Sequence, residues 1–305
     1  NVFNPVYSND WAMGGLYDNK GVKQSQLGLY AQDQIKLGRL SFQLAGRQDF
    51  VTTQLDTNLP PADTSVTKDA SAFTGRAAMM YNFDNGIAPY LSYSESFLPQ
   101  LATSPSGQML NPETGVQYEV GVKYQPIGWN ALFTFAAFDL TRDNVAVYVP
   151  ATTFYEQIGQ VKSRGIELEG SMSLADGWNL RAAYAYVDAM VTQDPVNVGK
   201  APVTVPLNRA SLWSDYTLQN GLLAGLQFGG GVRYVGATWG DDANTFKVGS
   251  ATVLDALLAY TRDNWRLSVN VTNLADTRYV AACYGLSGCM YAEGRKAIGK
   301  LTYRW

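Results

Sequence analysis

Histidine is absent from all 305 residues. Its absence removes the usual general base, the Ser-His-Asp and Cys-His nucleophile systems, and the commonest zinc ligand. Charge is sparse as well: Asp, Glu, Lys and Arg make up 16%, the net charge is −3, and no Lys/Arg cluster occurs. Nucleic acid is therefore not an expected partner. No stretch approaches 18 uninterrupted apolar residues, so no helix is long and apolar enough to cross a bilayer. The loop acids Asp63, Asp241 and Asp242 show no calcium-loop spacing, and no metal site is read anywhere. Cysteine occurs only twice. The chain opens on Asn1-Val2-Phe3-Asn4-Pro5 with neither initiator Met nor signal peptide, which reads as a processed or truncated chain.

What is present is glycine, 29 residues, and aromatics, 38 residues, arranged with regularity. Short turn signals recur: Lys36-Leu37-Gly38-Arg39, Asp84-Asn85-Gly86, Pro126-Ile127-Gly128-Trp129, Ala175-Asp176-Gly177-Trp178, Gln219-Asn220-Gly221 and Arg262-Asp263-Asn264. Asn-Gly and Asp-Gly supply the positive φ of tight hairpins. From Gly38 through Gly86, Gly128, Gly177 and Gly221 to Asn264 the intervals are 48, 42, 49, 44 and 43 residues, a repeat of architecture and not of sequence.

About ten residues of alternating character flank each turn, the length a tilted strand needs to cross a bilayer. Tyr118, Val120, Val122 and Tyr124 alternate with Gln117, Glu119, Gly121 and Lys123; Ile166, Leu168 and Met172 alternate with Gly165, Glu167, Glu169 and Ser171. At the C-terminus Leu301, Tyr303 and Trp305 oppose Lys300, Thr302 and Arg304. The period is 2, which excludes amphipathic helix.

The other strand ends are joined by segments read as long loops, roughly 56–71, 98–115, 142–161, 189–206, 237–249 and 276–294, rich in Asn, Asp, Thr, Pro and Gly. Aromatics mark two rims: Tyr81, Phe83, Trp129, Trp178, Tyr260, Trp265, Tyr303 and Trp305 near the turns, and Tyr93, Phe97, Phe138, Tyr186, Trp213 and Tyr234 towards the loops. This asymmetry predicts an all-β, transmembrane antiparallel β-barrel fold. Six hairpins and a final strand make thirteen strands, and an open set of thirteen leaves two edges a bilayer does not tolerate, so a larger barrel is expected.

Several stretches resemble the TonB-dependent siderophore receptors of bacterial outer membranes, and among them the ferrichrome (hydroxamate) branch. They are Asn1-Val2-Phe3-Asn4-Pro5-Val6-Tyr7, Tyr90-Leu91-Ser92-Tyr93-Ser94-Glu95-Ser96-Phe97, Gln117 to Tyr124, Arg164-Gly165-Ile166-Glu167-Leu168-Glu169, Ala210 to Tyr216, and Asn273-Leu274-Ala275-Asp276-Thr277-Arg278-Tyr279-Val280, in family order. The resemblance implies about 13 C-terminal strands of a 22-stranded barrel (residues 23–305), the remainder of an extracellular loop (residues 1–22), and a plug domain that is not in this chain. It implies a receptor and transporter in the cell outer membrane that takes up a ferric siderophore and is energised by the TonB-ExbB-ExbD system through that plug. The implied receptor is a monomer embedded in outer-membrane lipid and not an enzyme. No cofactor is implied, with iron entering only as part of the ligand. The competing class is a passive, porin-like diffusion channel.

Phe3 and Tyr284 match positions where the family places aromatics on the ferric siderophore; rigid rings suit an apolar, bulky chelate. Tyr7 and Trp11 are candidates to extend that patch. Cys283 and Cys289, six apart in the last long loop, are read as a disulfide that shapes a surface loop, with free thiols or soft-metal ligands as the alternative. Closing so short a loop stabilises by about 2–3 kcal/mol in the chain-entropy model. Glu119, Lys123, Glu167, Glu169, Arg76, Arg266, Lys300 and Arg304 are read as a wet inner wall, and Glu95 with them; Glu167 and Glu169 as a catalytic pair are the weaker reading. Mass spectrometry of the non-reduced protein is expected to find both thiols protected from alkylation, and labelling of both would remove the bond.

Overall fold

A computed structural model describes residues 19–58, 63–104, 106–149, 154–283, 285 and 288–305. Its strands are β1 (Lys20–Leu37), β2 (Leu40–Thr57), β3 (Thr64–Tyr81), β4 (Ile87–Leu98), β5 (Glu113–Tyr124), β6 (Ala131–Val149), β7 (Phe154–Ala175), β8 (Trp178–Gln193), β9 (Asn208–Thr217), β10 (Leu226–Val235), β11 (Thr238–Trp239), β12 (Lys247–Val248), β13 (Ala251–Arg262), β14 (Trp265–Thr272), β15 (Val280–Cys283), β16 (Cys289–Tyr291) and β17 (Lys296–Tyr303). Thirteen of them form one sheet in the order β1 to β10, β13, β14, β17. The pairs β11–β12 and β15–β16 are separate small ladders within loops. Among the described residues every pairing is between antiparallel neighbours, and the large sheet is open: β1 pairs only with β2, and β17 only with β14.

Register carries one parity across the sheet. Tyr124 faces Phe133 and Phe133 faces Gly170; Val120 faces Ala137 and Ala137 faces Ile166; Leu258 faces Val269 and Leu267 faces Leu301. These rows are the apolar outer surface, and many of their side chains are exposed, among them Leu168, Leu258, Leu267 and Leu301. The opposite parity brings together Gln26, Arg47 and Asp49, Tyr90 and Glu119, and Arg233 and Asp255. Apolar outside and polar inside is the arrangement of a membrane barrel and the inverse of a soluble sandwich. At the turn end Trp265 and Tyr303 bring their rings to 4.6 Å, and Tyr81 and Phe83 to 4.7 Å, where aromatic rings suit the membrane boundary. The turns take left-handed residues where the spacing predicts them, including Gly86 (φ 85°), Gly177 (φ 82°) and Asp263 (φ 50°).

Five expectations are corrected. Segments 56–71 and 142–161 are not open loops: the β2–β3 ladder continues to Thr57–Thr64 and the β6–β7 ladder to Val149–Phe154. Beyond the bilayer the Thr- and Val-rich alternation still favours pairing. Trp213 and Phe138 do not belong to the outer rim. Trp213 lies on the inner face of β9 with its indole over Gly229 and Gly231, where a Cβ would meet the ring at 2.9 and 2.5 Å. Phe138 covers Gly165 on the inner face of β7. Glycine notches admit rings that a side chain would displace.

Glu95 is on the outer face, not the inner wall. The β3–β4 ladder ends at Arg76–Ser94, and the next peptide N–H, that of Gly75, donates to Glu95 Oε2 at 2.7 Å instead of to a backbone carbonyl. The other carboxylate oxygen accepts from the Tyr93 hydroxyl. The side chain thus satisfies a backbone group that the diverging strands leave over.

A Cβ on Gly165 would meet the Tyr186 carbonyl oxygen at 2.3 Å and the Phe138 ring at 2.7 Å. Gly165→Val is expected to destabilise the barrel by about 1–3 kcal/mol. The measurement is the temperature at which the folded, fast-migrating band is lost in semi-native electrophoresis; an unchanged temperature would contradict the packing described.

Candidate functional site

The long-loop end of the sheet is held together by side-chain amides that pair with peptide groups as a neighbouring strand would. Gln157 on β7 accepts from the Asn111 N–H at 3.0 Å and donates to the Asn111 carbonyl at 2.8 Å. Lys68 on β3 donates to Asn111 Oδ1 and to the Met109 carbonyl, so the 99–112 connection is anchored from both sides. Asn244 repeats the pattern: its Oδ1 accepts from the Ala201 N–H at 2.8 Å and its Nδ2 donates to the Ala201 carbonyl at 2.9 Å. That pair joins the 194–207 connection to the 236–250 connection, aided by Thr204 N–H to the Trp239 carbonyl.

The third case lies in the last connection. Asn273 is 3% exposed and left-handed (φ 53°). Its backbone N–H donates to Asp255 Oδ1, its Oδ1 accepts from the Thr277 N–H at 2.8 Å, and its Nδ2 donates to the carbonyls of Thr277 and Glu293. Asp255 in turn grips Arg233 through two bonds of 2.5 and 2.9 Å. Asp276 accepts from the Arg295 N–H. The stretch Asn273-Leu274-Ala275-Asp276-Thr277 is therefore a turn, anchored by the buried Asn273, that ties the loop to β13.

Cys283 and Cys289 form a disulfide with Cα atoms 4.0 Å apart, and Cys283 is 1% exposed. The loop they close reaches the preceding connection through Gly285 N–H to the Gly240 carbonyl, 2.9 Å. Three successive connections, 194–207, 236–250 and 273–295, are thus linked one to the next. Phe3, Tyr7, Trp11 and Tyr284 lie outside the described residues.

Two acids of the 236–250 connection are in opposite situations. Asp241 accepts from the Thr245 hydroxyl at 2.6 Å and from the Thr245 and Phe246 N–H groups. The Thr245 hydrogen bond leads in holding its carboxyl below the usual range. Asp242 is pushed up, first by burial and then by the charges of Asp241 and Asp194. Beside it lies a cavity of about 120 Å³ between β6–β8 and the 194–207 connection. The left-handed Asn144 (φ 58°) breaks the alternation of β6, and Val145 and Val147 pack there against Val161 and Val191.

Deeper on the inner face, Glu119 accepts from the Tyr90 hydroxyl at 2.7 Å and from Gln117. Glu167 and Glu169 line a ≈260 Å³ recess with Arg209 and Arg233. No nucleophile–base pair is placed on them, and among the described residues no group of three or more metal-ligating side chains comes together. The recess is a polar wall. Gln157 and Asn244 were not singled out from the sequence; an isolated amide in a polar loop carries no signal of the peptide it will pair with.

Asn273→Ala would remove the hydrogen bonds to the peptide groups of Thr277 and Glu293, about 0.5–1.5 kcal/mol each. Faster hydrogen exchange is expected at amides 277–283 and 289–295, with the β13–β14 ladder still protected. Equal exchange in both regions would contradict the anchoring role.

The family model described as TonB dependent receptor-like, beta-barrel, matches residues 1–274. The ferrichrome outer membrane transporter/phage receptor of Escherichia coli K12 is 38% identical over 317 residues, covering 100% of this chain and 42% of that protein. The ferrioxamine B receptor of Salmonella typhimurium LT2 is 38% identical over 308 residues, covering 99% and 44%. Among solved structures, the siderophore receptor PiuA of Acinetobacter baumannii superposes with a TM-score of 0.78 at 25% identity, covering 93% of this chain and 44% of that one. The chain thus spans less than half the length of the curated relatives it matches.

Proposed function

Because the chain belongs to the TonB-dependent receptor-like β-barrel family, we propose that it is the C-terminal, thirteen-strand part of an outer-membrane receptor that imports ferric siderophores, hydroxamates in particular. The observation that carries this reading is the division of the sheet into two unlike ends. Tight turns close one end, while at the other the connections are tied to the wall and to each other, as a surface that must hold a ligand requires. The names of the ferrichrome and ferrioxamine B receptors supply the ligand class.

In this reading the open edges of β1 and β17 pair with further strands of the receptor, since a bilayer leaves no edge unsatisfied. The polar inner wall with Glu119, Glu167 and Glu169 faces a plug, and the plug couples to TonB-ExbB-ExbD. Phe3 and Tyr284 contact the chelate from the extracellular side. Iron arrives inside its chelator and no bond is made or broken, so the protein needs no cofactor of its own and acts as a monomer in outer-membrane lipid. The passive-channel reading predicts conductance without saturable binding.

Tryptophan fluorescence of the complete receptor, titrated with a panel of ferric siderophores, is expected to quench saturably with a ferric hydroxamate. Quenching by no hydroxamate overturns the ligand class. The Phe3→Ala/Tyr284→Ala double variant is expected to bind about tenfold or more weakly, as loss of aromatic anchors does; unchanged affinity removes those two residues from the site.

A further inference from the structure

Two Asn-Gly pairs occupy turns at the tight-turn end of the sheet, Asn85-Gly86 between β3 and β4 and Asn220-Gly221 between β9 and β10. Both asparagines are exposed, and by local sequence the two pairs are chemical equals. In each, the glycine nitrogen can reach the asparagine Cγ by closing a five-membered ring, with no Cβ on the glycine to obstruct it. The attack requires a glycine N–H free to give up its proton and an asparagine amide free to rotate onto the nitrogen. A hydrogen bond on either group must open first.

The fold treats the two pairs unequally. Gly86 is held through both its backbone groups: its N–H donates to the Phe83 carbonyl at 3.2 Å, and its carbonyl accepts from the Gln125 N–H at 2.9 Å. The Asn85 amide is engaged as well, its Oδ1 accepting from the Ile87 N–H at 3.2 Å. A Cβ on Gly86 would strike the Gln125 carbonyl oxygen, so this residue is packed against the neighbouring turn. At the other pair, the Gly221 N–H and the Asn220 side chain have no hydrogen-bond partner among the described residues. No atom lies within 4 Å of where a Cβ on Gly221 would stand. The adjacent Gln219 amide is occupied by the Thr217 carbonyl at 2.7 Å, and Asn220 itself stays exposed.

We propose that Asn220 is a site of spontaneous deamidation and that the fold protects Asn85 from the same reaction. The Gly221 nitrogen forms a bond to Asn220 Cγ and the Cγ–Nδ2 bond breaks. The proton lost from the Gly221 N–H leaves with the amide nitrogen as ammonia. Water then opens the cyclic imide at either carbonyl, giving aspartate or isoaspartate at position 220. Nothing is oxidised or reduced, and water is the only co-reactant. The β9–β10 turn gains one negative charge, and in the isoaspartyl product its main chain is one carbon longer. The proposal does not depend on what the receptor carries.

The test is peptide mapping by mass spectrometry of the complete receptor, incubated folded in detergent micelles at mildly alkaline pH. Deamidation at Asn220 is expected to outrun that at Asn85 by roughly tenfold or more, the factor set by two hydrogen bonds that must open first. A parallel incubation of the denatured chain frees both pairs, and there the two rates are expected to converge. Equal rates in the folded protein, or a faster reaction at Asn85, overturn the proposal. A ratio that persists unchanged after denaturation overturns the protection assigned to the fold. Asn220→Gln, which would have to close a larger ring, is expected to abolish modification at position 220 while leaving Asn85 as slow as before. Modification that continues at position 220 in this variant overturns the ring-closure chemistry.

Discussion

Every peptide N–H and C=O that lies in hydrocarbon must be paired, and that requirement organises this molecule more than any side-chain contact does. It explains why the thirteen strands of the main sheet are strictly sequential neighbours and why every pairing is antiparallel. A strand that skipped its neighbour would leave a row of open groups in lipid. It also explains Glu95: where β3 and β4 diverge after Arg76–Ser94, the carboxylate takes the Gly75 N–H that no carbonyl reaches. Once the ladder is continuous, the pleat dictates the rest. Outward residues meet lipid tails and inward residues meet water, so the alternation seen at Tyr118–Tyr124 or Trp265–Val271 follows from geometry.

Above the membrane the same requirement is met by other means. Where backbone no longer pairs with backbone, Gln157, Asn244 and Asn273 each present an amide that both donates to and accepts from one residue's peptide groups. Gln157 and Asn244 tie one connection to a strand or to the next connection, Asn273 closes the two ends of the last connection on each other, and the Cys283–Cys289 disulfide secures its tip. The mouth is therefore a set of mutually anchored loops and not a fringe of independent ones. A binding surface gains from this, because less conformational freedom remains to be lost when a ligand is held.

The architecture was legible in the sequence because it repeats: a turn every 42–49 residues and period-2 alternation on both sides of it. The disulfide was legible too, since two cysteines six residues apart in a loop leave few other roles. The errors share one cause. Residue type alone places Phe138 and Trp213 at a rim, yet their parity on β6 and β9 turns both to the inner wall, where Phe138 lies over Gly165 and Trp213 over Gly231. Which glycine stands opposite is a matter of register between strands, and register is not written in one strand alone. The polar composition of segments 56–71 and 142–161 suggests loops, but ladder pairing holds much of both as strands.

By itself the sequence determined the class of the molecule: no helix to span a membrane, strands of one period, tight turns at one end, and motifs of one receptor family. Those properties depend on local spacing, which a linear chain displays in full. Only the tertiary structure decided that Glu95 faces outward, that Asn244 clasps Ala201, and that Asp242 lines one cavity with Val145, Val161 and Val191. Each of these joins residues separated by tens of positions, and their meeting is set by strand register and the path of the loops, neither of which any local pattern encodes.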